Sequence, residues 1–164
     1  MCFNGAKTWQ LGWFTEFHLD LPVGNNFRWK GNLVGFAEKS AASVSDRMII
    51  RIRSNSKDYY IHFNRKIGLN SGTLEGGDQV LVSFRAPGTG LAISYLLAKV
   101  SGGGTFTVPN FNGSGKTLKV AVSRISLGTV PARATVSIQL ARPPRQRSST
   151  TRASSTNAKK KNFH

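Results

Sequence analysis

Acidic side chains are scarce in this chain. Seven Asp and Glu stand against 23 Lys and Arg, a formal charge of +16 over 164 residues. So few carboxylates leave little material for acid–base catalysis. A single cysteine, Cys2, excludes an intramolecular disulfide and a multi-thiolate metal site. No apolar run approaches the ~18 residues that a membrane-spanning helix requires. The opening Met1-Cys2-Phe3-Asn4-Gly5 lacks a charged segment followed by an apolar one, so no secretory signal is expected. With three histidines and no CxxC or HxxxH spacing, metal ligation has no sequence support. His18 and His62 read as strand histidines, and Cys2 has no neighbouring base to activate it. The chain is expected to be non-enzymatic, with no cofactor and no metal.

Hydrophobic residues make up 39% of the chain and aromatics 10%, enough for one core and one domain. Composition shifts after Ala141. Residues 142–164 hold seven basic residues, no acid and little to bury, so a disordered cationic tail is expected there. The body, residues 1–141, keeps sixteen basic and seven acidic residues. It is basic in its own right.

That body reads as β. Ala134, Val136, Ile138 and Leu140 alternate with Thr135, Ser137 and Gln139, the period of a half-buried strand. Met48, Ile50 and Ile52 alternate with Arg51 and Arg53; Tyr59, Ile61 and Phe63 share a face, as do Val80, Val82 and Phe84. Further strands are expected at 10–19, 26–36, 91–100, 104–108 and 116–126, and a short helix has room only within Ala37–Asp46. Turns rich in Gly, Asn and Pro separate these runs. About eight or nine short strands predict a single antiparallel β-sandwich, jelly roll or small barrel.

Two motifs invite a chemical reading. Asn112-Gly-Ser-Gly-Lys-Thr117 has the end of a phosphate-cradling loop, but Asn110 stands where its first glycine belongs. The residues that follow alternate like a strand, so a hairpin turn is expected. Ile61-His-Phe-Asn-Arg65, with Phe27-Arg-Trp-Lys-Gly31 and Gly77-Asp-Gln-Val80, resembles the galectins, β-sandwich lectins with a His-Phe-Asn-Pro-Arg run. The resemblance implies that His62, Asn64 and Arg65 bond galactose hydroxyls. The family's proline is missing between Asn64 and Arg65. Its downstream sugar-stacking tryptophan is missing too, since Trp9, Trp13 and Trp29 all come earlier.

Basic residues interleaved with apolar ones are the broadest signal. Arg28 and Lys30 flank Trp29, Arg51 and Arg53 face away from Ile50 and Ile52, and Arg65 and Lys66 end a strand. Lys116, Lys119 and Arg124 are expected to cluster near the 112–115 turn. Pairing of the strands at 47–54 and 57–66 would make one basic patch. Arg142, Arg145, Arg147, Arg152, Lys159, Lys160 and Lys161 supply the tail. Phosphate binds such surfaces by releasing condensed counterions. No base-reading module is recognisable, so backbone contact to nucleic acid, RNA rather than DNA, is the expected role. The layout of β body and cationic tail resembles small viral coat or nucleocapsid proteins, although their arm is usually N-terminal. It implies a self-assembling homo-oligomer in a virion; otherwise host cytoplasm or nucleus is expected. A matrix-like protein binding anionic membrane is the remaining alternative.

Overall fold

The computed structural model describes residues 4–22, 27–85 and 93–142. Expectations that fall on Cys2, on residues 23–26 and 86–90 between strands, on the start of the 91–100 strand and on Arg145, Arg147, Arg152, Lys159, Lys160 and Lys161 lie outside the described residues. The described chain is mostly β. It forms strands β1 (His18–Leu21), β2 (Arg28–Val34), β3 (Ile49–Ile52), β4 (Asp58–Asn64), β5 (Gln79–Arg85), β6 (Ser94–Val100), β7 (Thr105–Val108), β8 (Thr117–Ser126) and β9 (Arg133–Ala141). They make two sheets, ordered β1-β3-β4-β5-β6 and β2-β9-β8-β7, and neither is closed. Every pairing between these strands is antiparallel except β1 with β3, which runs parallel and departs from an all-antiparallel expectation; a single parallel bridge also joins Leu33 to Arg47.

One hydrophobic cluster draws on both sheets. The first gives Ile50, Ile52, Tyr59, Ile61, Phe63, Val80 and Val82; the second gives Leu33, Leu118, Val120, Val122, Val136, Ile138 and Leu140. These are the alternating apolar positions of each strand, and burying one such side chain stabilises by about 1.5–3 kcal/mol. Trp29 packs at the margin of this core, lying over Gly31, where a Cβ would stand 2.5 Å from the indole.

The segment before β1 corrects the strand expected at 10–19. Asn4 caps a short helix, α1 (Gly5–Gln10), by accepting the Lys7 amide at 3.0 Å, and a 3-10 turn spans Thr15–Phe17. A strand is unnecessary there because Trp9, Phe14 and Phe17 are used differently. They lie with Phe36 around a second cluster of Ala6, Val34, Met48, Ile49 and Tyr60, separate from the main core. Met48 therefore does not share the face of Ile50 and Ile52. The helix expected within 37–46 is a 3-10 helix at Phe36–Ala41.

Candidate functional site

The strands at 49–52 and 58–64 do pair as a hairpin. Its outer face is not a basic patch, because the second apolar cluster covers it. Arg51 lies beneath that cover. Its Nε donates to Asp20 Oδ1 at 3.0 Å, its Nη1 lies 3.9 Å from Asp58, and its guanidinium carbon sits 4.7 Å from the Trp9 ring centre. Arg53 donates to the same Asp20 carboxylate. Partial burial alone would raise the Asp20 carboxyl, but the bonds from Arg51 and Arg53 prevail and hold it below its ordinary range. Arg65 is enclosed as well, 2.7 Å from Asp78 and 3.6 Å from Glu38, whose carboxylate also accepts the Ala132 amide. Lys66 is exposed, and its amide donates to Asp78. Three of the expected phosphate contacts are thus held by the chain's own acids.

The galectin-like trio is also engaged internally. His62 is 3% exposed and stacks on Phe36, ring centres 5.5 Å apart. Gly5 of α1 approaches so closely that a Cβ would stand 2.8 Å from His62 Nδ1. Burial lowers the His62 pKa to about 4. Asn64 donates to the Gly76 carbonyl at 3.1 Å, and Arg65 faces Asp78 and Glu38. These side chains fasten the first sheet and its loops and present no set of groups to a sugar.

The 110–116 segment is the connection of the β7–β8 hairpin. The Gly115 amide donates to Asn110 Oδ1 at 2.9 Å, the Gly113 amide to the Asn110 carbonyl, and the Phe111 amide to the Lys116 carbonyl. Amides that a phosphate would need are spent on the loop itself, and Lys116 leads into a strand.

Four other expected contacts, Arg28, Lys30, Lys119 and Arg124, lie on the second sheet. Arg28 and Lys30 are exposed on β2, Lys119 and Arg124 on β8. Arg28 is registered with Gln139 on β9, which is registered with Lys119; Lys30 is registered with Ser137, and Arg124 with Thr135. Arg124 stands at the opposite end of β8 from the 112–115 turn, about 16 Å along the strand from Lys119, which corrects the expected cluster. It faces out only because of an irregularity between Val122 and Arg124. There Ser123 is the extra residue, and strict alternation from Leu118 would have turned Arg124 inward. Thr105, Thr107, Thr135, Ser137 and Gln139 lie among these cations and offer hydroxyl and amide hydrogen bonds. At one end, Arg28, Lys116 and Arg142 line a cleft of about 630 Å³ with Phe27, Leu140 and Ala141.

The carboxylates are confined to one part of the sequence, and all are paired. All seven carboxylates lie between Glu16 and Asp78, with none afterwards. Each has a cation within 4.0 Å: Glu16 with Lys39, Asp20 with Arg51 and Arg53, Glu38 and Asp78 with Arg65, Asp46 with Arg133, Asp58 with Arg51, and Glu75 with Lys99. Arg28, Lys30, Lys119 and Arg124 form no ion pair among the described residues. The sequence carried this signal in the acid-free run after Asp78, which pairwise inspection of basic residues passes over.

Among the described residues no three His, Cys, Asp or Glu side chains gather as a metal site, and no helix is long and apolar enough to cross a membrane. Comparison of the chain with protein-family models, curated proteins and solved structures returns no match.

Proposed function

We propose that this protein is a non-enzymatic, nucleic-acid-binding structural protein of the coat or nucleocapsid kind. In this reading the two sheets stack as a jelly-roll-like β-sandwich. The outward face of the second sheet lies on the phosphate backbone, residues 142–164 add a cationic arm, and copies associate to package nucleic acid, RNA rather than DNA, in a virion. One observation carries it: Arg28, Lys30, Lys119 and Arg124 share the outward face of the second sheet and form no ion pair among the described residues, while each acid of the chain is matched to another cation, Asp46 to Arg133 at the start of β9. A surface of one sign is matched to a polyanion. Backbone contact fits the Thr, Ser and Gln side chains between the cations, which can hydrogen-bond phosphate oxygens without reading bases.

The test is the absorbance ratio of the purified full chain before and after nuclease, followed by titration with labelled RNA and DNA strands across salt. Co-purifying nucleic acid and a steep negative salt slope are expected. Salt-insensitive binding, or binding to anionic vesicles with none to RNA or DNA, would overturn the reading in favour of a different surface or a membrane role.

A further inference from the structure

We propose that a second copy of this chain pairs edge to edge along β6, so that the first sheets of two copies join into one. The proposal rests on the assembly reading above and names the surface that assembly uses.

β6 closes the order β1-β3-β4-β5-β6 and pairs only with β5, leaving one row of its backbone groups without a strand partner among the described residues. Such edges template further pairing unless charge, proline or distortion blunts them. Here the exposed side chains are apolar: Ile93 is 69% exposed, Tyr95 54%, Leu96 48% and Leu97 39%. The β5 register passes from Ala98, opposite Val82, to Leu96, opposite Ser83, which makes Leu97 an extra residue. This bulge brings two consecutive leucines to solvent in place of the usual one-in, one-out alternation. The strand's one charge, Lys99, lies 3.3 Å from Glu75 of its own chain.

Charge selects the occupant. From Ala86 to Gly115, a run that includes both β6 and the edge strand β7, Lys99 is the only charged residue, in a chain that carries +16. Two copies of so basic a chain repel, and the ion pairs leave no acidic patch to receive the cationic face of another copy. They meet most readily where neither brings unpaired charge. Of the two edge strands in that run, β6 exposes Tyr95, Leu96 and Leu97 whereas β7 exposes Thr105 and Thr107, so the apolar seam is the β6 edge. An antiparallel two-fold pairing sets the same strand against itself, with Tyr95, Leu96 and Leu97 contributed twice. Edge pairing covers neither face of a sheet, so Arg28, Lys30, Lys119 and Arg124 stay open in both copies.

The experiment uses the nuclease-treated full chain in high salt. Its mass is followed over a concentration series by sedimentation, with hydrogen exchange of the β6 amides read in parallel. The expected result is a concentration-dependent doubling of mass accompanied by protection of Tyr95–Lys99. In the double variant Leu96→Lys/Leu97→Lys, association should weaken by about a hundredfold, because like charges would meet across the seam. Three results would overturn the proposal: a monomer throughout, doubling without β6 protection, or a folded variant that associates like the parent. The exchange measurement on the parent chain decides the matter even if the variant fails to fold. Nucleic-acid binding is measured separately; its absence with the β6 pairing intact would sink the coat-protein reading and leave the seam standing.

Discussion

Arg28 and Lys119 flank Gln139 in a single row across the second sheet, Arg28 in register with Gln139 from β2 and Lys119 in register with it from β8. The row is two strand spacings wide, about 10 Å. Neither cation has a carboxylate partner among the described residues, so neither is needed to hold the fold.

Replacing both by Gln should therefore leave stability within about 0.5 kcal/mol of the parent, as for other exposed, unpaired positions. Each lost phosphate contact to a single strand should flatten the plot of log K against log salt by about 0.7. Titration of labelled RNA at several salt concentrations measures this. An unchanged slope would take the row out of the interface.

Arg51→Ala should behave in the opposite way. The substitution leaves partly buried Asp20 to Arg53 alone, takes the cation from Asp58, and removes the guanidinium from the Trp9 ring. A charge-assisted hydrogen bond of this kind is worth about 1.5–3 kcal/mol, and a loss of that size is expected in urea or thermal unfolding. The salt slope of binding should not move. Arg53→Ala, at the exposed side of the same carboxylate, should cost less than about 1 kcal/mol.

Stability should fall in two stages as pH is lowered. His62 is buried, its Nδ1 lacks a hydrogen-bond partner, and burial takes its pKa from 6.5 to about 4. Between those values the unfolded chain binds a proton that the folded chain refuses. Stability is then full above pH 6.5 and drops by about 3 kcal/mol as pH approaches 4. His18, also lowered by burial, contributes in the same direction. Asp20, Asp46 and Asp78 have carboxyls held below 3.8, so their share survives to lower pH and is lost only as pH falls through their folded values. His62→Phe, which keeps the stack on Phe36, should remove most of the upper stage and spare the lower one. Urea midpoints from pH 7 to 3 would show it. An unchanged upper slope would place that titration on another group.

The strands were legible because two-residue periodicity directly reflects a sheet with one face buried. The run from Ala134 to Leu140 lies within β9 as expected, with its apolar set in the main core. Periodicity does not say whether another segment covers the second face. Tyr60 and Ile49, on the face away from the main core, are fully buried only because α1 and the aromatics after it return over the first sheet. That return makes Arg51 structural and hides His62. A local cue existed in Asn4, a capping residue directly before Gly-Ala-Lys-Thr, yet the aromatic run from Trp9 to Phe17 equally suits a strand. On β8 the cue was a change of parity, from Val122 inward to Ile125 inward, which requires one extra residue between them.

Arg142 follows the last strand directly, so a chain ending there keeps all nine strands and the cleft that Arg28, Lys116 and Arg142 line. The truncated protein should unfold in one cooperative transition near the parent's midpoint, because every strand pairing among the described residues lies within residues 18–141. Six cations are removed with residues 143–164: Arg145, Arg147, Arg152, Lys159, Lys160 and Lys161. If each neutralises one phosphate of a single strand, the salt slope should become less negative by about 4. What remains should be the share of the second sheet's face, and Arg28→Gln/Lys119→Gln in the truncated chain should reduce it further. Because the contacts are to phosphate, the loss should be nearly equal for unrelated RNA sequences of one length. Equal slopes for the full and truncated chains would show that the tail does not touch nucleic acid and that the face acts alone. A strong sequence preference in either protein would require base contacts, for which the guanidinium and amide groups of Arg28, Arg124 and Gln139 on this face are the groups to replace.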